Sequence, residues 1–520
     1  MFVRHTDIAE GAQLSAAVCI VGAGAAGITL ALSLQDAGIP VVIVESGTLE
    51  LDESIEALDK GQAVGIPYDL DAQRRRGFGG STNCWSGWCV PMSPEDYVAR
   101  DWMAGSGWPI GRADLDRYYP AAARVLDIAG HEFDPGAWMP HLGLPTPPVA
   151  LEGFECGVWQ LSTPVRLGEK YRAAFESSTR IRCVLGFTAT RLTLEKGGER
   201  IQSVTCRSLG GKSLTVKASL FVLAMGGIEN ARLLLLSRDQ RPAGLGNEND
   251  LVGRNFLEHP AVIEGAELYV WKDGPGHEFF AKAGKGLQPK GYPPVPAPGA
   301  RLPASLQAPP RTDPMSVVLG LSLSEAAQLR HRLPQFWVVP NEGPFPDPAR
   351  EREAKEVLSA LAMGKERPFS RIGLTFAIEQ RPNASSRVRL GSERDPLGEP
   401  VAVLDWRIEA QERTALKQIL VLLGEAAARA GIGRIRLNID PESERSWVPV
   451  GGAHLMGTTP MGTNAKTSVA DRNGRLHTVR NAYLAGSSLF PTSTYGNPTY
   501  TIVALALRLG DHLKAMLARA

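Results

Sequence analysis

Three glycines and one acid near the N-terminus have the types and spacing needed to hold a phosphate-linked ligand. Gly22, Gly24 and Gly27 form a G-x-G-x-x-G pattern. The first permits a tight turn, the second lets main chain approach a pyrophosphate, and the third allows a helix to pack closely on a strand. Glu45 can accept hydrogen bonds from ribose hydroxyls, and an acid there disfavours a 2′-phosphate. The pattern predicts dinucleotide binding, with FAD or NAD favoured over NADP.

The flanking sequence predicts the elements that position these residues. Residues 17–47, AVCIVGAGAAGITLALSLQDAGIPVVIVESG, predict an apolar strand, a glycine turn, an apolar-faced helix ending near Gly38, and a second apolar strand. The helix N-terminus offers free N–H groups to phosphates. Residues 181–226 contain short β-rich segments with turn signals between them, and they predict a β-meander that returns to the same sheet.

Composition excludes several other classes of protein. The 520 residues, 43% of them hydrophobic, can bury a large core in two or more domains. A net charge of +1 gives no field that would attract nucleic acid, so nucleic acid is not an expected partner.

The six cysteines form no CxxC pair, which predicts neither a metal site nor a disulfide framework. No leader peptide and no run of about 18 to 20 apolar residues is present, so we expect a cytoplasmic protein without a membrane span.

Several further motifs resemble those of the glucose-methanol-choline (GMC) oxidoreductase family. The segments that carry the resemblance are GGSTN at 79–83, SGWPIGRADLDRYY at 106–119, LAMGGIENARLLL at 223–235, LVGRNFLEHP at 251–260, and nearly all of 451–514. They span both ends of the chain, whereas residues 265–370 match no motif of that family. The resemblance implies that the cofactor is FAD rather than NAD.

The resemblance also implies a fold and a set of cofactor contacts. We expect an α/β protein, with a Rossmann-type FAD-binding domain and a mixed α+β substrate-binding domain built on an antiparallel sheet. The FAD-binding domain is predicted to combine 1–95, 180–264 and 446–520, and the substrate-binding domain 96–179 and 265–445. The predicted cofactor residues are Gly22, Gly24, Ala25, Ala26, Gly27, Glu45, Ser46, Arg76, Gly79, Gly80, Ser81, Asn83, Cys84, Trp85, Ala224, Gly226, Asn230, Gly486, Ser487, Asn497, Pro498 and Thr499.

In this family a His from the first C-terminal segment and a His or Asn from the second face the flavin. The match therefore implies that His454, in GGAHLMGT, is a base and that Asn497, in YGNPT, is its partner. An alcohol carbon is a poor hydride donor until its O–H proton leaves, and an imidazole suits that proton transfer. The Asn497 amide can orient the hydroxyl oxygen. His259, His477 and His512 are assigned structural or surface roles.

The motifs GGSTNCW, HLMGT and GNPT resemble the sugar-oxidising branch of the family, which includes pyranose 2-oxidase, fructose dehydrogenase and glycoside 3-oxidases, more than they resemble choline or methanol oxidases. Pyranose 2-oxidase attaches FAD through the His of a Thr-His-Trp sequence, where this chain has Asn83, Cys84 and Trp85. Attachment through His is therefore excluded here. We expect non-covalent FAD, with a Cys84 thioether as the alternative. Trp85 and Trp88 could form walls of a sugar site, although core packing explains at least one of them better.

The middle of the chain allows only predictions of secondary structure. Residues 285–314 are so rich in Pro and Gly that they predict a loop, either over a site or as a surface excursion. RIGLTFAIEQ, SSRVRLG and AVLDWRI are typical of strands, and QERTALKQILVLLGEAAARAG has helical spacing.

Together these features predict FAD-dependent oxidation of an alcohol group of a sugar, glycoside or aminosugar. The alternatives are oxidation of a non-sugar alicyclic or aliphatic alcohol, a lyase in which FAD is structural, and a silent binding protein. The expected partner is a small-molecule alcohol, and oxygen, a quinone and a protein all stay open as electron acceptors.

Overall fold

The computed structural model describes residues 1–145, 150–290, 304–307, 315–361, 367–441, 443 and 449–519. Its strands are β1 Phe2–Arg4, β2 Ala12–Val21, β3 Val41–Glu45, β4 Gln62–Gly65, β5 Trp88–Cys89, β6 Phe154–Leu161, β7 Ile181–Leu185, β8 Thr188–Leu194, β9 Ile201–Arg207, β10 Ser213–Leu223, β11 Phe256–Leu257, β12 Ala261–Trp271, β13 Ser316–Leu323, β14 Phe336–Glu342, β15 Phe369–Ile378, β16 Arg387–Arg394, β17 Pro400–Trp406, β18 Gly433–Leu437, β19 Met456–Gly457 and β20 Ala482–Leu484.

Its α-helices are α1 Ala25–Gln35, α2 Glu53–Glu56, α3 Ala113–Asp116, α4 Tyr119–Val125, α5 Pro135–Leu142, α6 Leu167–Glu176, α7 Gly226–Leu236, α8 His277–Lys282, α9 Glu325–His331, α10 Pro348–Leu361, α11 Ala410–Arg429 and α12 Thr499–Leu517. Short 3-10 turns join several of these elements. Among the described residues, no helix combines the length and the apolar character needed to cross a membrane.

The first sheet has the order β1-β7-β3-β2-β10-β9-β8, with β20 beside β10. Strand β2 runs parallel to both β3 and β10, and β20 runs parallel to β10. The carboxyl ends of β2, β10 and β20 therefore meet at one edge of the sheet, which is where open parallel sheets bind their ligands. The predicted βαβ unit is confirmed as β2-α1-β3, and the predicted meander as β8-β9-β10.

Strong burial explains why this sheet forms. All five residues of β3 are buried, as expected for a strand covered on both faces. Helix α1 is buried from Ala26 to Leu34, between the sheet and α12. A Cβ on Gly510 of α12 would lie 2.8 Å from the Ser33 hydroxyl, so the missing side chain allows this close approach.

The second sheet has the order β18-β12-β15-β14-β13-β6-β5, and its pairs are antiparallel. One face packs on α11 through a cluster that includes Val158, Leu319 and Leu420. The opposite face carries a smaller aromatic cluster around Trp159 and Tyr495. The strands and helix predicted around residues 370–430 are confirmed as β15, β16, β17 and α11. A third sheet joins β16, β17 and β4.

The loop predicted at 285–314 lies mostly outside the described residues. Its described part includes a 3-10 turn, Ala304–Leu306, beside the C-terminal end of α1. The Ser305 hydroxyl accepts a hydrogen bond from the Gln35 amide at 3.0 Å.

Candidate active site

A cavity of about 530 Å³ opens where the carboxyl ends of β2, β10 and β20 converge. Gly22 follows β2, Ala224 follows β10 and Gly486 follows β20, and all three line the cavity. His454 and Asn497, from two separate loops, line it as well. The parallel sheet thus brings segments from both ends of the chain to one site.

The glycine turn leaves main chain exposed to this cavity. Gly22 has φ of 101°, and a Cβ there would meet the Ala224 carbonyl oxygen at 2.7 Å. The main chains of Gly24 and Gly80 also approach each other, since a Cβ on Gly80 would lie 2.9 Å from the Gly24 Cα. Helix α1 begins immediately after Gly24 and directs its first N–H groups to the same place. This cradle fits a pyrophosphate.

Glu45 ends β3 at the cavity wall, but its carboxylate is already partly occupied. It accepts hydrogen bonds from the main-chain N–H groups of Ala23 and Gly47, each at 2.8 Å. Burial raises the pKa of Glu45, while these donors and Arg76 lower it. Since a carboxylate offers about four lone-pair directions, an acceptor site for a ribose hydroxyl is left. That contact stays a prediction.

Most predicted cofactor residues line the cavity: Gly22, Gly24, Ala25, Ala26, Glu45, Ser46, Arg76, Gly80, Ser81, Cys84, Trp85, Ala224, Gly226, Gly486, Ser487, Asn497, Pro498 and Thr499. Four predicted residues, Gly27, Gly79, Asn83 and Asn230, are not among the lining residues.

Each of the four has a packing or positioning role. Gly27 packs on the glycine turn, because a Cβ there would lie 2.0 Å from the Gly22 carbonyl oxygen. A Cβ on Gly79 would meet the Asn83 amide, and that amide donates to the Phe78 carbonyl rather than to the cavity. Asn230 is fully buried and donates to Ser488 at 2.9 Å, which ties α7 to the segment after β20.

The sequence prediction missed a charged network along the cavity. Arg76 contacts Asp59 at 2.9 Å, Arg74 contacts Glu229 at 2.7 Å, and Arg232 bridges from Glu229 to Asp395. Burial would raise the pKa of Glu229, but these three arginines hold it below its usual range. The run of three arginines before the GFGG segment was the available signal for this network.

A short ladder of main-chain hydrogen bonds places two histidines opposite each other. Strands β11 and β19 pair antiparallel, with Leu257 opposite Met456. His259 lies two residues after Leu257, and His454 lies two residues before Met456. The same antiparallel register therefore places His259 opposite His454. The two Nδ1 atoms lie 2.8 Å apart. His259 was predicted to have a structural role, whereas its ring lies directly against that of the predicted base.

Hydrogen bonding determines which nitrogen of His454 carries a proton. His259 Nε2 lies 3.0 Å from the Ser493 carbonyl oxygen and 2.9 Å from that of Thr494, and a carbonyl can only accept. His259 Nε2 therefore carries hydrogen, and its Nδ1 is the acceptor. His454 Nδ1 must then donate. The lone pair of His454 is consequently on Nε2.

Asn497 completes the arrangement. Its Nδ2 lies 3.0 Å from His454 Nε2 and donates to the lone pair there. Both residues are only half-buried, and both line the cavity. The predicted pair is thus brought together, with a proton acceptor and a hydrogen-bond donor side by side. Such a pair can receive a hydroxyl group, binding its proton at one atom and its oxygen at the other.

A buried carboxylate holds the loop that carries His454. Glu258 is fully buried and accepts hydrogen bonds from the main-chain N–H groups of His454 at 2.8 Å, His259 at 2.6 Å and Gly452 at 3.2 Å. The Tyr68 hydroxyl donates a fourth at 2.7 Å. Burial raises the pKa of Glu258 to about 7, against the lowering effect of these donors.

Both imidazoles are biased towards their neutral forms. Burial lowers the pKa of His454 well below its ordinary value, and neighbouring His259 lowers it further. Burial also lowers the pKa of His259, opposed by the two carbonyls to which it donates. At neutral pH, His454 Nε2 is therefore unprotonated, and its lone pair is held by the Asn497 amide.

Cys84 is exposed, unlike the buried Cys19, Cys89, Cys183 and Cys206. Burial of part of its side chain raises the pKa of its thiol, which disfavours the nucleophilic thiolate. Neighbouring Trp85 donates from its indole to the Val165 carbonyl at 2.8 Å. Trp88 lines the cavity without full burial.

Comparisons with known proteins agree with this geometry. GMC oxidoreductase family models match residues 170–261 and 382–506, and an FAD binding domain model matches residues 15–57. The chain belongs to the GMC oxidoreductase family. It is an FAD-dependent oxidoreductase, with a Rossmann-like parallel sheet and a second, antiparallel sheet.

Individual relatives of this GMC oxidoreductase match along nearly its whole length. It is similar to paromamine 6'-oxidase of Streptomyces fradiae, at 26% identity over 94% of this chain and 90% of the relative. It is also similar to 6'''-hydroxyparomomycin C oxidase of Streptomyces lividus, at 26% identity over 96% and 92%. A solved structure of pyridoxine 4-oxidase from Mesorbium loti shares its fold, with a TM-score of 0.55 and 21% identity over 96% of this chain and 99% of that one.

Proposed function

We propose that this GMC oxidoreductase oxidises an alcohol group of a sugar-like substrate, which includes sugars, glycosides and aminosugars. The observation that carries the proposal is the lone pair of His454 Nε2, which lies at the cavity beside the Asn497 amide at 3.0 Å. The two Streptomyces relatives are named for oxidation of paromamine and hydroxyparomomycin C, which supports an aminosugar within this class.

The proposed reaction begins when the substrate hydroxyl enters between His454 and Asn497 and replaces the direct hydrogen bond between them. Asn497 Nδ2 donates to the hydroxyl oxygen, and the hydroxyl proton passes to His454 Nε2. Removing that proton turns the alcohol carbon into a better hydride donor. FAD, when bound, supplies the acceptor for the hydride. His259 keeps His454 in the tautomer that can act as a base, by accepting from its Nδ1.

We propose that the residues at the cavity wall hold FAD in three groups. The turn around Gly24 and the first turn of α1 would hold the pyrophosphate, Glu45 the ribose, and the segment from Gly486 the flavin end. FAD binding by 1–95, 180–264 and 446–520, with substrate binding by 96–179 and 265–445, is part of the same proposal. The cytoplasmic location stays a prediction of the sequence.

The test is anaerobic mixing of the purified holoprotein with a panel of sugars, aminosugars and alicyclic alcohols. Each active compound is matched with an analogue that lacks the tested hydroxyl. We expect the visible flavin band to bleach with at least one sugar-like compound and not with its deoxy analogue. The product is then identified as a carbonyl compound by mass spectrometry.

Other outcomes separate the alternatives. Bleaching by alicyclic or aliphatic alcohols alone would replace the sugar-like substrate with a non-sugar alcohol. A flavin that no alcohol reduces, together with cleavage of a substrate, would favour a lyase with structural FAD.

A further inference from the structure

Glu258 is fully buried, and no ion pair to it is found in the part of the chain that the structure describes. Its four described hydrogen-bond donors are the Tyr68 hydroxyl and three main-chain N–H groups, all of them neutral. By contrast, Glu379, which is also fully buried, is held by both terminal nitrogens of Arg100, at 2.6 and 2.7 Å. A buried carboxylate without a cation is costly, and it attracts positive charge that forms nearby.

The nearest groups that can become positive are the two imidazoles of the ladder. The Glu258 carboxylate accepts hydrogen bonds from the main-chain N–H groups of both His259 and His454, so it is bonded to the backbone of the two residues that carry the rings. Glu379 also acts on the charge of His259 and raises its pKa, but Glu379 is already paired with Arg100 at 2.6 Å. Burial raises the pKa of the Tyr68 hydroxyl, Glu258 raises it further, and Arg74 opposes both effects. Arg74 itself pairs with Asp59 and Glu229.

We propose that Glu258 is a positioning residue whose negative charge compensates the positive charge formed when His454 accepts the substrate proton. The inference deepens, and rests on, the proposed alcohol oxidation. In the resting site the histidine pair is neutral and Glu258 has only neutral donors. When the hydroxyl proton binds His454 Nε2, the positive charge spreads over the pair through the 2.8 Å hydrogen bond between the two Nδ1 atoms. Glu258 then faces the cation that the resting site lacks.

The direction of the pH dependence follows from this role. A protonated Glu258 is neutral and cannot compensate a cation, so flavin reduction should be slow below the pKa of Glu258 and faster above it. That pKa is about 7 because burial raises it. The lowered pKa of His454 moves its own protonation to more acidic pH, so the step near pH 7 belongs to Glu258.

The primary test measures flavin reduction by an active substrate in wild type and Glu258→Gln, at pH 5.5 and pH 8.5. We expect the variant to be slower by about tenfold or more at pH 8.5, since a charge effect of one pKa unit is tenfold. At pH 5.5 the two proteins should differ by less than about twofold, because Glu258 is then neutral in both. A ratio that is the same at both pH values would show a purely structural role and overturn the proposal.

Tyr68→Phe provides a second variant that keeps the carboxylate. It removes one neutral donor to the charged form of Glu258, so the pKa of Glu258 and the inflection in the rate should both move to higher pH. An inflection that stays in place or moves down would contradict the proposal. If Glu258→Gln fails to fold or to bind FAD, Tyr68→Phe still tests whether the charge of Glu258 affects flavin reduction.

A measurement without substrate separates this inference from the proposed function. The N–H···N hydrogen bond between His259 and His454 should give a downfield proton resonance in the NMR spectrum of the holoprotein. We expect that resonance to shift with pH around 7 in wild type and not in Glu258→Gln. If it does so while no alcohol reduces the flavin, the proposed function fails and the charge coupling stands. If it does not titrate while alcohols do reduce the flavin, the inference about Glu258 fails alone.

Discussion

Replacing His259 tests whether the hydrogen-bond chain sets the tautomer of the base. His259→Phe keeps a ring of similar size but removes the acceptor that faces His454 Nδ1 at 2.8 Å. The Nδ1–H group then either stays buried without a partner or gives way to the tautomer with hydrogen on Nε2. Either result disfavours the form of His454 that can accept a proton.

The lost hydrogen bond sets how much slower flavin reduction should be in His259→Phe. A buried donor left without an acceptor costs about 1 to 3 kcal/mol. Since about 1.4 kcal/mol corresponds to a factor of ten in rate, flavin reduction should slow by about 5- to 150-fold. The FAD content should stay that of wild type, because His259 does not line the cavity.

The assay is anaerobic stopped-flow reduction of the bound flavin with the best substrate of the panel, on samples matched for FAD content. His477→Phe is the matched control, since His477 bonds Ser468 and does not line the cavity. It should reduce at the wild-type rate. A His259→Phe variant that also reduces at the wild-type rate would refute the tautomer argument.

Three further predictions concern the partner amide, the glycine turn and the flavin linkage. Asn497→Ala should keep FAD and slow flavin reduction by about 2- to 12-fold, measured by stopped flow, because a lost hydrogen bond is worth about 0.5 to 1.5 kcal/mol. An unchanged rate would remove Asn497 from the site. Gly27→Ala should yield protein with little FAD, because the added Cβ would lie 2.0 Å from the Gly22 carbonyl oxygen. Absorbance of the bound flavin measures this, and a normal FAD content would contradict the packing role of Gly27. Acid precipitation should release the flavin into the supernatant, whereas colour retained in a wild-type pellet but lost in Cys84→Ser would establish a thioether.

The parts of the fold that depend on local sequence were predicted well. The glycine turn, α1 and β3 follow one another within a few dozen residues, and their burial pattern matches their apolar runs. The return of the meander to the first sheet was also predicted, and it is seen in the pairing of β10 with β2. In contrast, 3-10 turns and the short β11–β19 ladder have no periodicity that a sequence pattern can detect.

In the candidate site too, residues within recognisable motifs were predicted, and a contact between distant segments was not. His454 and Asn497 were predicted from motifs, and the structure places them 3.0 Å apart. The role of His259 was missed because its contact joins residues 195 positions apart through a two-residue ladder. Asn83 and Asn230 were also predicted to contact the cofactor; neither lines the cavity, and their amides donate to the Phe78 carbonyl and to Ser488.

The most direct test of the account compares flavin reduction in wild type and His454→Ala, with both proteins matched for bound FAD. We expect a sugar-like alcohol to bleach the wild-type flavin. The variant should keep its FAD but be reduced at least about 100-fold more slowly, as expected for loss of a general base. A variant that retains FAD and is reduced at the wild-type rate would contradict the assignment of His454 as the base.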